Sequence, residues 1–299
     1  MKKVVIITGL TASGKSSLAL KLAQKFNGEI ISCDSVQVYK RLDIGSAKES
    51  LENRQKIKHY LIDIVEPTVN YNVAMFVSDT QKSIDECIKK GKTPFIVGGT
   101  MMYIKALLEG YTLGGEANLQ FREKWQQYAQ NFGKNAVWEE LNKLNPQLAQ
   151  KVHFNNLNRV IRYLELATFG EPQKTQSILQ NFDVLAVGIN ESKQSIYKKI
   201  NSRVDNMISS GLEQEVSNLI SAGLTLSNNS INSIGYREMY EFLTGKTDYN
   251  TCVDLIKQHT RNYAKRQLTF MKTIQNLHIV PILEAEVLIN EFLSTNVGI

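Results

Sequence analysis

The sequence is poor in the residues that build disulfide and metal frameworks. Its three cysteines, Cys33, Cys87 and Cys252, lie far apart with no C-x-x-C pair. That argues against a disulfide scaffold and fits a reducing cytosol. Its four histidines, His59, His153, His259 and His278, show no H-x-x-x-H spacing, which argues against a His/Cys zinc site. No apolar run approaches the roughly 20 residues that cross a bilayer, so no membrane association is expected. Met1-Lys2-Lys3 followed by Val4-Val5-Ile6-Ile7 begins like a signal peptide, but the apolar run stops at Thr8-Gly9 and reads as a buried first strand. Internal repeats and low-complexity segments are also missing.

What is present is an ordinary globular composition. The 299 residues are 42% hydrophobic and 21% charged, enough to bury a core in one large domain or in a core domain carrying a smaller one. The net charge of +6 fits an anionic partner without naming it.

Val4–Thr8 is a β-branched run that ends at a glycine. Ser16–Phe26 places Leu18, Ala19, Leu22 and Phe26 at helical spacing. Ile30–Ser32 reads as a second buried strand and Met75–Lys90 as an amphipathic helix stopped by Gly91. Pro94–Val97 reads as a further strand ending at Gly98-Gly99-Thr100, and Met101–Glu109 as a helix. This alternation predicts an α/β fold, a parallel sheet with helices on both faces. From Glu116 to about Thr175 the pattern changes to helices without a strand, over Gln120–Phe132, Ala136–Leu144 and Asn156–Thr168. Val184–Ile189 restores a strand. Ser192–Ser210, Leu212–Ser221, Ser233–Leu243 and Thr251–Thr273 are helical, and Leu277–Val280 is a last short strand. The expected organisation is a core over 1–115 and 183–299 with a helical insertion over 116–182.

Gly9-Leu10-Thr11-Ala12-Ser13-Gly14-Lys15-Ser16 fits G-x-x-x-x-G-K-[ST] without a gap. It follows a buried strand and opens a helix, as phosphate binding requires. The glycines let backbone N–H groups converge on an anion, and the helix N-terminus adds unpaired donors. Lys15 supplies a point charge and the Ser16 hydroxyl a ligand for Mg²⁺. The loop implies a bound di- or triphosphate and leaves its fate open, since kinases, NTPases and some transferases begin this way.

Asp34 lies just past the carboxyl end of the second strand, the edge where open parallel sheets bind ligands, so it should lie near Lys15 and Ser16. Its position alone allows a cap on a turn or helix, a water-mediated Mg²⁺ contact or a catalytic carboxylate. Val97-Gly98-Gly99-Thr100 ends another strand, and its glycines either admit a ligand to the backbone or make a tight turn capped by the threonine. Arg159 and Arg162 share one face of their helix. Lys257, Arg261, Lys265 and Arg266 recur at helical spacing with only Asp254 and His259 nearby, and Tyr263 and Phe270 offer surfaces on which bases could stack.

Several segments together resemble the tRNA dimethylallyltransferase family. Its patterns G-P-T-A-S-G-K-[ST], I-I-S-A-D-S-R-Q-V-Y, D-I-G-T-A-K, H-H-L-I-D-I and V-G-G-T are matched in order by Gly9–Ser16, Ile30–Tyr39, Asp43–Lys48, His59–Ile64 and Val97–Thr100. Asn158–Glu165, Arg203–Val216, Ile234–Met239 and Thr260–Phe270 also look like the family's patterns, so the resemblance covers nearly the whole chain. Leu10 replaces the loop proline, Val36 the arginine after Asp-Ser, Tyr60 the second histidine, Met101-Met102 a Gly-Leu pair and Phe270 a tryptophan. The Val36 change matters most, because it removes a guanidinium from a region that touches RNA in the family.

The resemblance implies a P-loop NTPase-like core with a helical tRNA-binding insertion, acting as a monomeric cytoplasmic enzyme. It implies transfer of a dimethylallyl group from dimethylallyl diphosphate to N6 of the adenosine just 3′ of the anticodon. Gly9, Thr11, Ala12, Ser13, Gly14, Lys15 and Ser16 would hold the diphosphate with Mg²⁺ on Ser16. Asp34 would be the base, with Thr100 and Arg203 aiding catalysis. Contacts to the anticodon stem–loop would come from Asp34, Ser35, Val36, Gln37, Thr100, Arg122, Asn158, Arg159, Val160, Ile161, Arg162, Lys265 and Arg266, with Lys124 a further candidate on the insertion. The D-D-x-x-D metal cage of other prenyl-transfer enzymes is absent, which fits a loop that takes over the diphosphate. An adenine-nucleotide prenyltransferase, a small-molecule P-loop kinase and a non-catalytic RNA-binding paralogue stay open as alternatives.

Overall fold

The computed structural model describes residues 1–110, 118–170 and 175–295. The chain runs β1 (Lys3–Gly9), α1 (Lys15–Lys25), β2 (Gly28–Ser32), α2 (Leu51–Lys56), β3 (His59–Tyr60), α3 (Val73–Lys89), β4 (Thr93–Val97) and α4 (Met101–Glu109). Helices α5 (Leu119–Phe132), α6 (Lys134–Leu144), α7 (Pro146–Ala149) and α8 (Leu157–Phe169) follow. Then come β5 (Asp183–Ile189), α9 (Lys193–Ser209), α10 (Leu212–Ser221), α11 (Tyr236–Leu243), α12 (Tyr249–Met271), β6 (His278–Val280) and α13 (Ile282–Ser294). Among the described residues no helix is long and apolar enough to cross a membrane.

The chain forms two compact units, Met1–Glu109 with Ser177–Ile299, and Gly110–Gln176. The sequence-based boundary at 115–116 falls outside the described residues, and its C-terminal counterpart at 182–183 lies a few residues beyond the observed division.

In the first unit the described strands form one parallel sheet in the order β3-β2-β4-β1-β5-β6. Alternation along β1 divides its side chains between two cores. Val4 and Ile6 face one with α3, α4 and the helices from α9 to α12, while Val5 and Ile7 face the other with α1 and α13. All four are fully buried, each worth about 1.5–3 kcal/mol relative to exposure. Neighbours β4 and β5 flank β1 on opposite sides, so connections diverge at its carboxyl end and open a crevice there.

Three differences from the sequence-based expectations have physical causes. Helix α11 starts at Tyr236 rather than Ser233, because Gly235 sits at φ 92 and its N–H is captured by Glu238 Oε2 at 2.7 Å. Strand β3 and helix α2 are too short to show a period. Helix α13, starting after Pro281, was not expected at all and packs Ala285 and Ile289 beside α1.

Helices α5 to α8 form the second unit, cored by Val137, Leu141, Val160, Ile161 and Leu164. Its buried carboxylate, Glu165, accepts the Asn118 N–H at 2.9 Å and pairs with both Arg122 at 2.7 Å and Arg162 at 2.6 Å.

Candidate active site

Loop Gly9–Ser16 joins β1 to α1. Ala12 (φ 62) and Gly14 (φ 86) both adopt left-handed backbone, a conformation that turns successive N–H groups into one concavity. The N–H groups of Ala12, Gly14, Lys15, Ser16 and Ser17 meet no protein acceptor among the described residues. Ser13 Oγ is buried and likewise unpaired. Lys15 Nζ folds back to donate to Leu10 O at 3.1 Å. Burial, with the Arg203 guanidinium adding to it, lowers the Lys15 pKa to about 8. The loop therefore presents a ring of donors and a cation that an anion would restore to full charge.

The β2 carboxyl end delivers Asp34. Its Oδ1 accepts the N–H groups of Val36 at 2.8 Å and Gln37 at 3.3 Å, so the turn-capping role is real. Its Oδ2 accepts no hydrogen bond among the described residues and is left for other work. Thr100, at the end of β4, accepts the Ser35 N–H at 3.0 Å and so fixes the residue beside Asp34. Gly98 is required here by close approach, because a Cβ would come within 2.0 Å of Cys33 O. Burial, with the Asp34 charge adding to it, raises the Cys33 thiol well above its ordinary pKa and leaves it inert.

Asp34, Thr100, Thr11, Tyr263, Arg203 and Arg266 line one cavity of about 320 Å³. Ser35 and Val36 line it too, so Val36 adds an apolar patch to the wall. A larger cavity of about 1070 Å³ lies against Ala12, Ile44, Ala47, Lys199 and Met207. Arg203, on α9, belongs to both cavities. Burial lowers its pKa and Asp34 opposes that shift, and an arginine stays charged under either.

The loop between the two cavities is held from behind. Glu215 of α10 accepts the N–H groups of Asp43, Ile44 and Gly45 at 2.8–3.1 Å and the Tyr236 hydroxyl at 2.6 Å. Lys48, its side chain only 3% exposed, bridges Asp43 and Asp63. Gln37 points away from the larger sites. Its amide accepts from Ser32 and donates to the carbonyls of Ser46 and Ala47, holding the same loop.

Sequence reasoning missed Gln267. It is 2% exposed, accepts the Thr11 N–H at 2.8 Å and donates to Gly99 O at 2.9 Å, while the Tyr263 hydroxyl donates to the same carbonyl at 3.0 Å. One side chain of α12 thus ties the phosphate loop to the turn that carries Thr100. The signal was readable, for Gln267 interrupts the buried stripe of Ile256, Ala264 and Met271 with a polar group. Replacing it with leucine should leave the Thr11 N–H unpaired, at about 1–3 kcal/mol, while Gly99 O keeps the Tyr263 hydroxyl. We expect a urea midpoint lowered accordingly and weaker binding of inorganic diphosphate by about tenfold. Gln267→Glu, which keeps only the Thr11 bond, should fall between. Unchanged diphosphate affinity in both variants would show that the clamp does not shape the loop. The stretch Asn232–Gly235, which also lines the smaller cavity, had been noted only as a sequence pattern around Ile234.

The remaining candidates divide clearly. Lys265 and Arg266 are exposed on α12, and Arg266 lies over the Tyr263 ring. Tyr263 belongs to the cavity wall, and Phe270 packs partly buried against the core under Lys105. Lys257 is not free of acids as its sequence neighbours suggested, because Asp205 of α9 pairs with it at 2.6 Å. On the second unit, Asn158 and Arg159 are exposed, Arg162 and Arg122 are engaged by Glu165, and Lys124 lies over Trp125. Val160 and Ile161 correct an expectation. At 0% and 2% exposure their side chains build the core of that unit and present nothing to a partner.

A donor-lined loop, a carboxylate with one free oxygen and an arginine shared by two cavities, all at the carboxyl edge of a parallel sheet, define a P-loop α/β protein built for an anionic substrate and a second reactant. Comparison with known proteins makes this specific. The IPP transferase family model matches residues 37–274. The tRNA dimethylallyltransferase of Ligilactobacillus salivarius is 40% identical over 286 residues, covering 92% of each chain. That of a Thermoanaerobacter species is 41% identical, covering 90% of this chain and 89% of its own. The crystal structure of the tRNA isopentenylpyrophosphate transferase from Bacillus halodurans superposes with a TM-score of 0.72 at 34% identity, covering 98% of this chain and 96% of that one. A eukaryotic dimethylallyltransferase acting on tRNA gives 0.77 at 30% identity, covering 98% and 80%. The chain belongs to the tRNA dimethylallyltransferase family, a class of prenyltransferases.

Proposed function

We propose that this enzyme, as a cytoplasmic monomer, transfers the dimethylallyl group of dimethylallyl diphosphate to N6 of the adenosine just 3′ of the tRNA anticodon. The observation that carries this reading is Asp34, whose Oδ2 has no partner among the described residues and which lines a cavity with Thr100, Tyr263 and Arg203, next to the phosphate loop. Its cysteines are free and buried, which supports a reducing compartment.

Magnesium fits the donors present. Ser16 is exposed at the start of α1, its hydroxyl makes no hydrogen bond among the described residues, and Ser16 Oγ would be the protein's ligand to the hard cation. When bound, the ion would neutralise charge on the leaving diphosphate.

The chain's own groups do the rest. The acceptor adenosine leaves its stack and enters the smaller cavity, while the allylic diphosphate lies in the larger one with its phosphates on the loop. As the allylic C–O bond breaks, negative charge grows on the diphosphate. The N–H groups of Ala12 and Gly14 to Ser17, with Lys15 and Arg203, stabilise that charge. The N6 lone pair forms the new C–N bond at the allylic carbon, and the proton released from N6 passes to Asp34 Oδ2. Thr100 holds Ser35 and with it the carboxylate. Arg266, Lys265, Asn158, Arg159 and Arg162 contact the RNA, with Arg122 and Lys124 supporting the second unit's share.

The test is incubation of the purified protein with Mg²⁺, labelled dimethylallyl diphosphate and unmodified tRNA, with AMP and ATP in parallel. Label on tRNA is the expected result. Label on AMP alone would replace this reading with a nucleotide prenyltransferase.

A further inference from the structure

Four consecutive backbone N–H groups, from Asp43 to Ser46, turn to one small cluster of acceptors. Glu215 Oε2 takes those of Asp43 at 2.9 Å and Ile44 at 2.8 Å, and its Oε1 takes that of Gly45 at 3.1 Å. The Tyr236 hydroxyl takes that of Ser46 at 3.2 Å and donates its own proton to Glu215 Oε1 at 2.6 Å. Burial, with the Glu215 charge adding to it, raises the Tyr236 pKa well above its ordinary value, so the hydroxyl keeps the proton it donates. Among the described residues Glu215 is in no salt bridge, so its charge acts on these donors alone. The segment they brace is thin. Ile44 and Ala47 line the larger cavity, and Gly45 and Ser46 line the smaller one. A third cavity of about 440 Å³ lies against Arg41, Asp43, Ile44, Gln214 and Glu215. Open space therefore borders the segment on three sides, and the hydrogen bonds hold what packing does not. Neither Glu215 nor Tyr236 lines the two reactant cavities.

We propose that Glu215 and Tyr236 are positioning residues that keep the Asp43–Ser46 segment closed as a partition, so that the allylic carbon meets the acceptor amine and not water. The inference rests on the reading of the two cavities as the sites of the prenyl donor and the acceptor base. Water is the competing nucleophile. Its oxygen forms a bond to the allylic carbon as the C–O bond to the diphosphate breaks, the diphosphate leaves with the electron pair, and the proton passes to solvent. The products are dimethylallyl alcohol and diphosphate, and the donor is wasted. With the brace cut, Ile44 has the third cavity to move into, and the two reactant cavities join at that point. Exclusion of water from the reacting carbon thus depends on two side chains that touch neither reactant.

The test compares wild type with Glu215→Gln, Tyr236→Phe and the double variant, each below its melting temperature. Single turnovers with labelled dimethylallyl diphosphate, Mg²⁺ and unmodified tRNA are stopped, and label in dimethylallyl alcohol is counted against label on tRNA. Glutamine keeps one acceptor oxygen and sets an amide donor against the N–H groups, so it opens the brace with little change in size. Phenylalanine keeps the buried ring and removes only the hydroxyl, which carries the test if the first variant folds poorly. The ratio of alcohol to transfer should rise about tenfold in Tyr236→Phe and about a hundredfold in Glu215→Gln, the scale on which a misplacement remote from the chemistry acts. Affinity for inorganic diphosphate should stay within about twofold, since neither substitution touches the phosphate loop. Both residues serve one brace, so the double variant should exceed Glu215→Gln by less than the product of the single effects. Slower transfer with an unchanged ratio in both single variants would overturn the partition and leave these residues a purely structural role. So would a raised KM for tRNA without added alcohol, which would assign the brace to docking of the acceptor. If the wild type itself puts no label on tRNA, the reading of the reaction fails and the partition with it, whereas transfer by wild type with flat ratios in the variants refutes the partition alone.

Discussion

Asp34→Asn should cut turnover by about 10²–10⁴ with tRNA affinity within a fewfold of wild type. The variant separates the two tasks of this side chain. Asparagine keeps an oxygen to accept the N–H groups of Val36 and Gln37, so the turn at the end of β2 survives. It cannot take the N6 proton. Asp34→Ala removes both functions and should lower turnover at least as far while also loosening the segment from Ser35 to Gln37. Single-turnover transfer with preformed enzyme–tRNA complex is the appropriate measurement. A fall of less than tenfold in Asp34→Asn would mean that another group or water takes the proton.

Lys15→Ala should weaken diphosphate binding and lower turnover together, by about 10²–10³, the scale on which one preorganised donor to developing charge contributes. The wild-type enzyme should also show a characteristic pH dependence. Burial lowers the Lys15 pKa in the free protein to about 8, so the ammonium is present below that pH and is lost above it. The second-order rate constant for dimethylallyl diphosphate reports the free enzyme and should fall as pH rises through about 8. Stability should move the other way. Between about 8 and the ordinary lysine range the unfolded chain binds more protons than the folded one, so the Lys15 contribution to stability rises with pH there. Lys15→Ala should abolish the alkaline limb assigned to this residue, and persistence of that limb would assign it to another group.

Much of this architecture was legible in the amino-acid sequence because strong local signals mark it. The β1 run, the glycine-lysine-serine loop and the apolar face of α1 specify a strand, an anion site and a helix in succession, and Asp34 and Thr100 follow from strands that end on the same edge. What stayed hidden depends on partners distant in sequence. Gln267 looks like one more polar residue on a basic helix until Thr11 and Gly99 are seen to meet its amide. Glu215 reads as a solvated helix charge until three N–H groups of the Asp43–Gly45 segment close on it. Arg203 enters the sequence reading only through the family resemblance, and its place on two cavities follows from the packing of α9. Val160 and Ile161 were judged by their place in a sequence pattern, whereas helical periodicity alone turns them inward beside exposed Asn158 and Arg159.

The most direct measurement maps the product to a single atom. Unmodified tRNA is reacted with labelled dimethylallyl diphosphate, digested to nucleosides and resolved by mass spectrometry, with sequence-specific fragments locating the modified residue. The proposed chemistry predicts one labelled nucleoside, N6-dimethylallyladenosine, at the position 3′ to the anticodon. Label on any other base or atom, or label confined to free adenine nucleotides, would contradict it.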